Sequence, residues 1–536
     1  MRAGGHVFVV RGDLRRLAVD AWLLPCDALG DVSPMWFDDA PSDFAPATVE
    51  GARGRRRLVL GKRKRRKLRR TGSVTLRRAR PGCRLPAIVA IDVGGTRRTR
   101  LRWYAEQLES GLERAVAVCG RGGGSSLGRA CPLIGMPLVG TGQGGASERK
   151  GAMIRLQLRA VARVARRLRV DVVVVTGSDR TQDAVRWVRQ RTGVGDWRAL
   201  GKLRSVADEL AELSADEQLV PFIGAGISAA AGLPLWGRLL DELAEAARIE
   251  DVDVLHELDL LDQARAIEAR IGRDLLKARV AEIVGRAPRP ALAHLLLANL
   301  RTESAATTNY DALYEQARRQ IGMPVASVPY EDAGGQTGWI VKLHGTVGEG
   351  GAQDIVLTRE DYLRYAGQRG ALSGIVAALL VTRHMLFVGF SMTDDNFRRI
   401  LDDVRLVAER TETAKVGRRR LGTALVFDSN HYFADLYNPE IRVHSARRRS
   451  ETSVDAARRV EIFLDYLSTR RSRGDCRYVL DPAYRALLSR RERSIRRRLE
   501  RLVRDVPANE RRTPAWQQLA GTLRDLGQPV LDVPRR

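Results

Sequence analysis

Residues 219–236 read LVPFIGAGISAAAGLPLW, and this stretch decides how the second half of the chain is interpreted. An apolar run, Leu219 to Ile223, leads directly into a turn rich in glycine. Residues 224–229, GAGISA, satisfy the loose pattern G-x-G-x-x-G/A that joins a strand to a helix in dinucleotide-binding folds. Such a turn brings backbone N–H groups to a helix N-terminus, where an anion such as a diphosphate is favoured.

The position of the next acidic residues tests one interpretation of this turn. A hydride-transferring Rossmann enzyme needs an acid at the end of the following strand, about 20 residues later, to bind the ribose. Asp241 and Glu242 occupy that distance but lie inside a helical pattern. A dehydrogenase is therefore disfavoured, and the turn is either a diphosphate site or a tightly packed strand–helix junction.

Three further predicted strands end in polar residues or glycine. Asn309 and Asp311 follow one strand in TTNYDALY, His344 follows a second in VKLHGTV, and Gly389 and Ser391 follow a third in LFVGFSMTDDN. Ligands of open parallel α/β sheets bind beyond the carboxyl ends of the strands. Taken singly, such residues are often caps, turns or structural histidines. Their joint placement instead predicts one crevice shared with the glycine turn.

Taken in order, these motifs resemble the sirtuin superfamily and, more closely, its bacterial SIR2-like branch. The matching residues, within about 214–467, are Gly224–Ser228, Gly232–Pro234, Thr308–Asp311, His344–Gly345 and Gly389–Ser391 followed by Asp394. The resemblance implies an NAD-binding, Rossmann-like domain that breaks the nicotinamide–ribose bond. NAD is then a substrate, and no metal is required.

The resemblance also implies roles for individual residues. Asn309 is expected to position a water or the ribose, His344 to act as general base, and Asp311 to orient the loop or a ribose hydroxyl. Histidine suits this role because its unperturbed pKa is close to neutral. The predicted NAD-binding residues are Gly224, Ala225, Gly226, Ser228, Pro234, Trp236, Thr308, Gly389 and Ser391.

Two departures from the protein-deacylating sirtuins narrow the predicted reaction. Those enzymes carry two cysteine pairs that hold zinc after the catalytic histidine, whereas this chain has no cysteine between His344 and Cys476. Where they carry an arginine after the Gly-Pro turn, this chain has Trp236, with Arg238 two positions on. Hydrolysis with water as acceptor is therefore favoured, and the resemblance implies a regulated antiphage effector that depletes NAD.

Two classes of alternative function remain open. One is an NAD-dependent protein deacylase or ADP-ribosyltransferase, which would need a protein substrate. The other is a non-enzymatic module that binds a nucleotide or nucleic acid.

The first 195 residues alternate short β-branched strands with amphipathic helices, which predicts another α/β sheet. A glycine–aspartate turn in VVRGDLRR and a glycine-rich turn in PLVGTGQGG make this region resemble a macro domain, an ADP-ribose-binding module. The resemblance implies that Asp13 meets an adenine and that the later turn wraps a diphosphate. The turn residues concerned are Gly140, Thr141, Gly142 and Gly144. Asp27, in LPCDALG, stands where an Asn-rich turn is usual, so ligand binding or a structural role is favoured over hydrolysis.

The length of 536 residues predicts two or three domains. We expect a macro-like domain over 1–195, a helical connector over 196–213, the SIR2-like domain over 214–467 and a basic helical segment over 468–536. The predicted fold class is α/β, with two Rossmann-like or macro-like domains and a helical insertion at about 235–300.

The net charge of +27 suggests either a polyanionic partner or a general bias towards arginine. The densest basic run, Arg53–Arg70, is a candidate nucleic-acid contact, although such runs are usually solvated faces. The five cysteines include no C-x-x-C pair, which argues against a zinc site or a disulfide scaffold. No apolar run approaches the ~20 residues of a membrane span. We therefore expect a cytoplasmic protein without membrane contact, and the SIR2-like resemblance favours a homo-oligomer.

Overall fold

The computed structural model describes residues 4–41, 46–51, 54–78, 85–96, 98–119, 124–142, 145–195, 197–348, 351–410, 420–427, 431–472 and 474–528. The chain forms two compact units. The first comprises Met1–Ser126, Cys131–Ala199 and Ser472–Arg536, and the second comprises Leu127–Ala130 and Leu200–Arg471. Each unit is built around a largely parallel sheet with helices, so the predicted α/β fold class is confirmed.

The first unit contains a six-stranded sheet. In chain order its elements are β1 (Val7–Arg11), β2 (Ala21–Cys26), β3 (Asp31–Val32), β4 (Thr48–Glu50), β5 (Arg56–Leu58), α1 (Lys62–Thr71), β6 (Ser73–Arg77), β7 (Ala87–Asp92), α2 (Leu101–Val116), β8 (Leu133–Pro137), α3 (Lys150–Leu168), β9 (Asp171–Thr176) and α4 (Asp179–Thr192). The strand order is β1-β9-β8-β2-β7-β6, and only the pairing of β6 with β7 is antiparallel. β9 reads DVVVVT and is buried throughout, as expected for a strand covered on both faces.

The second unit contains a seven-stranded, wholly parallel sheet. In chain order its elements are α5 (Leu203–Ala215), β10 (Leu219–Ile223), α6 (Ala225–Ser228), α7 (Trp236–Ala246), α8 (Val252–His256), α9 (Leu260–Ile271), α10 (Arg273–Gly285), α11 (Leu292–Ala298), β11 (Ser304–Thr307), α12 (Leu313–Gln320), β12 (Ala326–Val328), β13 (Trp339–Lys342), β14 (Thr346–Gly348), β15 (Gly351–Gln353), α13 (Arg359–Thr382), β16 (His384–Val388), α14 (Asp395–Arg410), β17 (Gly422–Val426), α15 (His431–Asp435), β18 (Ile441–Ser445) and α16 (Ser453–Arg471).

The strand order of this sheet determines where a ligand can bind. The order is β12-β13-β11-β10-β16-β17-β18, so β11 and β16 flank β10 on opposite sides. The chain therefore runs from β10 to β11 on one side of it, and from β13 it crosses to β16 on the other side. Such a reversal opens a crevice at the carboxyl ends of the central strands.

The predicted helical insertion is confirmed as α7 to α11, between β10 and β11. Its helices bury their own apolar cluster, which includes Leu240, Leu243, Ile267 and Val280. This packing explains the spacing of the leucines, because an amphipathic helix is stabilised mainly by burial of its apolar face. Asp241 and Glu242 lie within α7, as the sequence predicted.

The segment after α16 packs with the first unit. Its main helices are α17 (Arg490–Asp505) and α18 (Pro514–Asp525). Tyr484, Val503 and Trp516 of this segment join the apolar core formed by the first sheet and its helices. The sequence predicts residues 468–536 as a separate basic helical segment, because a basic helix with few apolar positions does not reveal which surface it covers. No helix in the described part of the chain is both long and apolar enough to cross a bilayer.

Candidate active site

A cavity of about 980 Å³ lies at the carboxyl ends of β10, β11, β13 and β16 in the second unit. The sequence-predicted residues that line it are Ala225, Gly226, Ser228, Pro234, Trp236, Thr308, Asn309, Asp311, His344, Gly389 and Ser391. Four separate strand ends thus converge as the sequence predicted. Gly224 is the predicted binding residue that does not line the cavity.

Gly224 instead joins the glycine turn to the end of β16. A Cβ atom at Gly224 would lie 2.4 Å from the carbonyl oxygen of Gly389, so no larger residue fits there. The amide of Gly224 donates to Val388 O, and the amide of Gly226 donates to Gly389 O. α6, which follows the turn, is only four residues long. The turn is therefore a packing junction between two strands as well as a wall of the cavity.

A fully buried hydroxyl, that of Ser228, connects the ends of two strands, β10 and β11, with the insertion. Ser228 Oγ donates to Asp311 Oδ2 at 2.8 Å and accepts from Asn309 Nδ2 at 3.2 Å. His294 Nε2 lies 3.3 Å from the same hydroxyl. Because His294 Nδ1 accepts from the amide of Ala291, its proton belongs on Nε2, which then donates to Ser228. This network fixes the amide group of Asn309.

His294 was not predicted, because it stands alone in the leucine-rich stretch ALAHLLLANL and resembles a core histidine. It lies on α11 of the insertion and is fully buried. Burial lowers the pKa of its imidazole to about 4, despite the opposing effect of Asp311. His294 is therefore neutral at physiological pH and acts as a hydrogen-bond donor.

A buried ion pair supports the loop that carries Asn309 and Asp311. Lys342 Nζ, on β13, lies 3.2 Å from Glu315 Oε1 on α12, and both side chains are inaccessible to solvent. The same ammonium donates to the backbone carbonyl of Asp311. Breaking one member of such a pair leaves a buried charge, which is strongly destabilising. The pair thus holds the loop in place against β13.

His344 follows β13 and is almost fully buried, with 1% of its surface exposed. Its Nε2 atom lies 3.5 Å from Asp394 Oδ2 and 3.4 Å from Asn396 Nδ2. Burial lowers its pKa, Asp394 opposes that effect, and Arg369 adds to it. The imidazole is therefore neutral at physiological pH and able to accept a proton.

Three buried polar atoms at the cavity have no hydrogen-bond partner within the described residues: Asn309 Oδ1, His344 Nδ1 and Trp236 Nε1. Buried polar groups in proteins are nearly always paired, because an unpaired one costs about 1–3 kcal/mol. All three atoms belong to residues that line this one cavity.

The remaining walls come from elements that the sequence analysis did not connect with the site. Their residues include Leu235, Leu260 and Leu261 from the insertion and its approach, Tyr362 from α13, and Phe427 and Phe433 beyond β17. Arg359 also lines the cavity, where it pairs with Asp259 and Asp262. Among the described residues, no group of three His, Cys, Asp or Glu side chains is arranged to hold a metal.

The first unit has a second cavity, of about 580 Å³, at the carboxyl ends of β1, β2, β7, β8 and β9. Asp13, Gly140, Thr141 and Gly142 line it, as the sequence predicted. Gly144 lies outside the described residues.

The acids of this cavity already have cationic partners. Asp13 accepts from both the amide and the guanidinium of Arg15. Asp31 pairs with Arg57, which lowers the pKa of the Asp31 carboxyl. A ligand that contacts Asp13 would therefore have to compete with Arg15 for the carboxylate.

Part of the second unit is similar in sequence to known proteins. The sequence profile of the family described as "SIR2-like domain" matches residues 303–430. The chain is 29% identical over 231 residues to the NAD(+) hydrolase ThsA of Enterococcus faecium, covering 41% of this chain and 47% of that protein. It is 30% identical to the NAD(+) hydrolase ThsA of Bacillus cereus, covering 37% and 42% respectively.

A third relative is the Defense-associated sirtuin 2 of Bacillus subtilis, which is 24% identical over 42% of this chain and 25% of that protein. The chain thus spans less than half the length of each of these curated relatives. The macro-like resemblance of the first unit stays a prediction. The family match includes Asn309, Asp311, His344 and Ser391, four residues of the cavity, so residues 303–430 of the second unit are similar to a SIR2-like domain.

Proposed function

We propose that the second unit is an NAD glycohydrolase, which converts NAD and water to nicotinamide and ADP-ribose. The observation that carries this proposal is the meeting of Asn309 and His344 in the lining of one cavity at the switch point of the sheet, each with a buried polar atom that has no partner among the described residues. A volume of about 980 Å³ is at the upper end for ligand sites, as a dinucleotide requires. The names of the relatives, NAD(+) hydrolase, agree with this reaction.

The reaction needs little from the protein beyond a positioned water and a base. As the bond between nicotinamide N1 and ribose C1′ breaks, its electron pair goes to the ring nitrogen, and nicotinamide leaves as a neutral molecule. A water oxygen bonds to C1′ of the resulting oxocarbenium-like ribose. His344 takes the water proton and later releases it to solvent. Asn309, held by Ser228, accepts a hydrogen bond from that water or from the ribose.

The remaining predicted residues are proposed to bind the rest of NAD. Gly226, Ala225 and Ser228 form the wall for the diphosphate and its ribose, and Ser391 meets the adenosine-side ribose. Trp236 Nε1 offers a buried donor to the ligand. Asp311 acts through Ser228, because its Oδ2 accepts from that hydroxyl.

Two features support hydrolysis over protein deacylation. The chain has no cysteine between His344 and Cys476 that could form a zinc module. The side chain of Arg238 is 71% exposed and lies 3.9 Å from Asp241, and the residue is not among those lining the cavity. It does not take the place of the arginine that deacylases carry after the Gly-Pro turn.

The test is incubation of the purified full chain with NAD, with nicotinamide and ADP-ribose measured by chromatography. We expect equal amounts of both products from the wild type and at least about 100-fold less of both from Asn309→Ala. Asn299→Ala is the matched control, because Asn299 is equally buried but caps the end of α11 through Leu295. Turnover that survives in Asn309→Ala would contradict the site assignment.

The same assay separates the alternatives. A deacylase or ADP-ribosyltransferase would release nicotinamide only when an acylated or acceptor protein is added. A non-enzymatic module would bind its ligand equally well after His344→Ala or Asn309→Ala.

We further propose that the protein depletes NAD as an antiphage defence effector. The name of the Bacillus subtilis relative, Defense-associated sirtuin 2, supports this role. The test is phage challenge of bacteria expressing the wild type or Asn309→Ala, with cellular NAD followed over time. Protection and loss of NAD should both require Asn309.

The first unit is proposed to be a macro-like regulatory domain that binds a nucleotide related to ADP-ribose. Its cavity offers the Gly140–Gly142 turn at the carboxyl end of β8 and the N-terminus of the 14-residue helix α4. Both features suit a phosphate group.

The basic run is proposed to contact nucleic acid. Within α1, eight of ten residues are Lys or Arg, and Leu68 is the buried residue that anchors the helix. Such binding should weaken steeply with salt, because it releases counterions. We also propose a cytoplasmic homo-oligomer. The exposed apolar side chains of Tyr432, on α15, and of Leu436, directly after it, support the oligomer. Light scattering of the full chain tests the oligomer.

A further inference from the structure

The helix α17 exposes a strongly basic surface on the first unit. Arg496 and Val503 of this helix are buried, and Leu499 packs against the core of the first unit. These positions recur every three or four residues and therefore share one side of the helix. The rest of its surface, named here the α17 face, carries seven exposed arginines: Arg490, Arg491, Arg493, Arg497, Arg498, Arg501 and Arg504.

None of these seven arginines forms an ion pair with a carboxylate of the described residues. Two acids of α17 are already used, since Glu500 pairs with Arg496 at 2.7 Å and Glu492 accepts from the backbone at the start of the helix. Asp505, at the last position, is the remaining acid of the helix. On α2 and α3, by contrast, exposed arginines such as Arg163 pair with glutamates. A general excess of arginine therefore does not explain the α17 face, which lacks the acids found elsewhere.

The arrangement of the charges opposes the stability of the helix. Arg493, Arg497 and Arg501 stand four residues apart, and like charges at that spacing repel each other. Arg490 and Arg491 occupy the first turn, where the positive end of the helix dipole disfavours cations. A polyanion bound to this face would remove both unfavourable terms.

We propose that the α17 face binds the phosphate backbone of a nucleic-acid duplex. Guanidinium groups donate paired hydrogen bonds to phosphate oxygens. The arginines from Arg490 to Arg504 extend along about 21 Å of helix, which equals the rise of about six base pairs. This inference goes beyond the contact proposed for α1, because it assigns a separate helix from a distant part of the chain.

The composition of α17 distinguishes a duplex from other polyanions. The helix reads RRERSIRRRLERLVRD and contains no aromatic side chain on which the bases of a single strand could stack. A helix at an anionic membrane inserts its apolar side into the lipid. In α17 that side packs into the protein core, and Ile495 and Leu502 are the apolar residues left exposed. The expected contacts are with the backbone of a duplex and are independent of its sequence.

The test is fluorescence anisotropy of a labelled DNA duplex of about 20 base pairs, titrated with the full chain at several salt concentrations. The triple variant Arg493→Gln, Arg497→Gln, Arg501→Gln should raise Kd at least about 100-fold at 0.1 M salt. The slope of log K against log salt should become less steep by about 2.7, because each phosphate contact contributes about 0.9. Duplex RNA of the same length is titrated in parallel. Binding of either duplex supports the proposal, and the tighter of the two identifies its source.

The matched control is the triple variant Arg102→Gln, Arg163→Gln, Arg167→Gln. It removes the same charge from exposed positions of the first unit, where each arginine pairs with a glutamate. Its Kd should stay within about threefold of the wild-type value, because those guanidinium groups are already neutralised. An equal loss of binding in both triple variants would attribute binding to net charge and overturn the proposal. Urea unfolding of each variant checks that the fold is intact.

A third triple variant, Lys62→Gln, Arg66→Gln, Arg69→Gln, tests α1 separately. Binding that is lost in this variant and kept in the α17 variant would overturn the role of α17 and leave the contact proposed for α1 intact. Absence of duplex binding by the wild type would refute both. Tighter binding of a single strand of the same length, or of phosphatidylserine vesicles, than of either duplex would also overturn the role of α17.

Discussion

The two units have cavities in the same place, at the strand ends of a sheet, but different polar groups line them. Each has a largely parallel sheet whose strand ends open into a cavity, of about 980 Å³ in the second unit and 580 Å³ in the first. In the second, Asn309 and His344 each have a buried polar atom without a partner among the described residues. In the first, Asp13 and Asp31 are held by neighbouring arginines.

This difference agrees with the proposed uses of the two cavities, a reaction in the second unit and ligand binding in the first. A neutral, buried histidine and a fixed amide are able to accept protons and hydrogen bonds from a reacting water. Carboxylates that are already paired with guanidinium groups are stable in that pairing and are poor general bases. The fold provides the crevice in both units, and the pairing of side chains decides its use.

The largest effect is expected from His344→Gln, which keeps a polar side chain but removes the base. The rate of nicotinamide release should fall about 10²- to 10⁴-fold, the usual contribution of a general base. His384→Gln is the control. His384, the first residue of β16, is also buried, but its imidazole contacts the hydroxyl of Thr423 on β17. Wild-type activity should persist through neutral pH and fall only in acid, because burial lowers the pKa of His344. If His344→Gln and His384→Gln released nicotinamide at the same rate, His344 would not be the base, and the proposed chemical difference between the two cavities would be wrong.

Asn309→Ala should reduce nicotinamide release by at least about 100-fold, as expected for a fixed polar group that orients the reacting molecule. The loss of its bond to Ser228 should lower the free energy of unfolding by only about 1 kcal/mol. Parallel urea titrations separate the two effects. A fall in activity explained by unfolded protein alone would contradict the prediction.

The polar network of the second unit should also make its folding sensitive to acid. His294 has an ordinary pKa of 6.5 when unfolded but about 4 in the folded protein, so the unfolded state binds its proton first. Stability from this group is intact above pH 6.5 and is lost as the pH falls towards 4, by about 2 kcal/mol at pH 5. Urea unfolding of the wild type and His294→Gln at pH 7 and pH 5 measures this. If His294→Gln lost as much free energy of unfolding between pH 7 and pH 5 as the wild type does, this assignment to His294 would be wrong.

The smallest effect concerns the first unit. Gly142 has open space where a Cβ would stand, so Gly142→Glu adds an anion to the cavity wall without a clash. Repulsion of a diphosphate should weaken ADP-ribose binding at that cavity about tenfold or more, measured by calorimetry. Gly521→Glu, also at an open position, is the control. Unchanged binding in Gly142→Glu would argue for a structural first unit.

Much of the fold could be read from local pattern. The strand at 219–223, the helical insertion and the strands before Asn309, His344 and Gly389 are confirmed. These elements are encoded by periodicity and by glycine turns, which act over a few residues. The small sheet of β3, β4 and β5 was missed, because strands of two or three residues carry no periodic signal.

The groups behind the site could not be predicted in the same way. His294 lies 66 residues after Ser228 in the sequence, and Tyr362 lies 32 residues before Asp394. Such contacts depend on how distant elements pack, and no spacing along the chain encodes them. The sequence likewise did not predict that the segment after residue 471 packs into the core of the first unit.

The sequence by itself determined the α/β class, the glycine turn at 224–229 and the polar residues at the strand ends, because these follow from short-range pattern and the rules of parallel sheets. The tertiary structure alone decided which nitrogen of His344 faces a carboxylate, which groups hold Asn309, and that the acids of the first cavity are paired. The physical reason is that the pKa and hydrogen-bond state of a side chain are set by burial and by neighbours in space, which only the folded chain brings together.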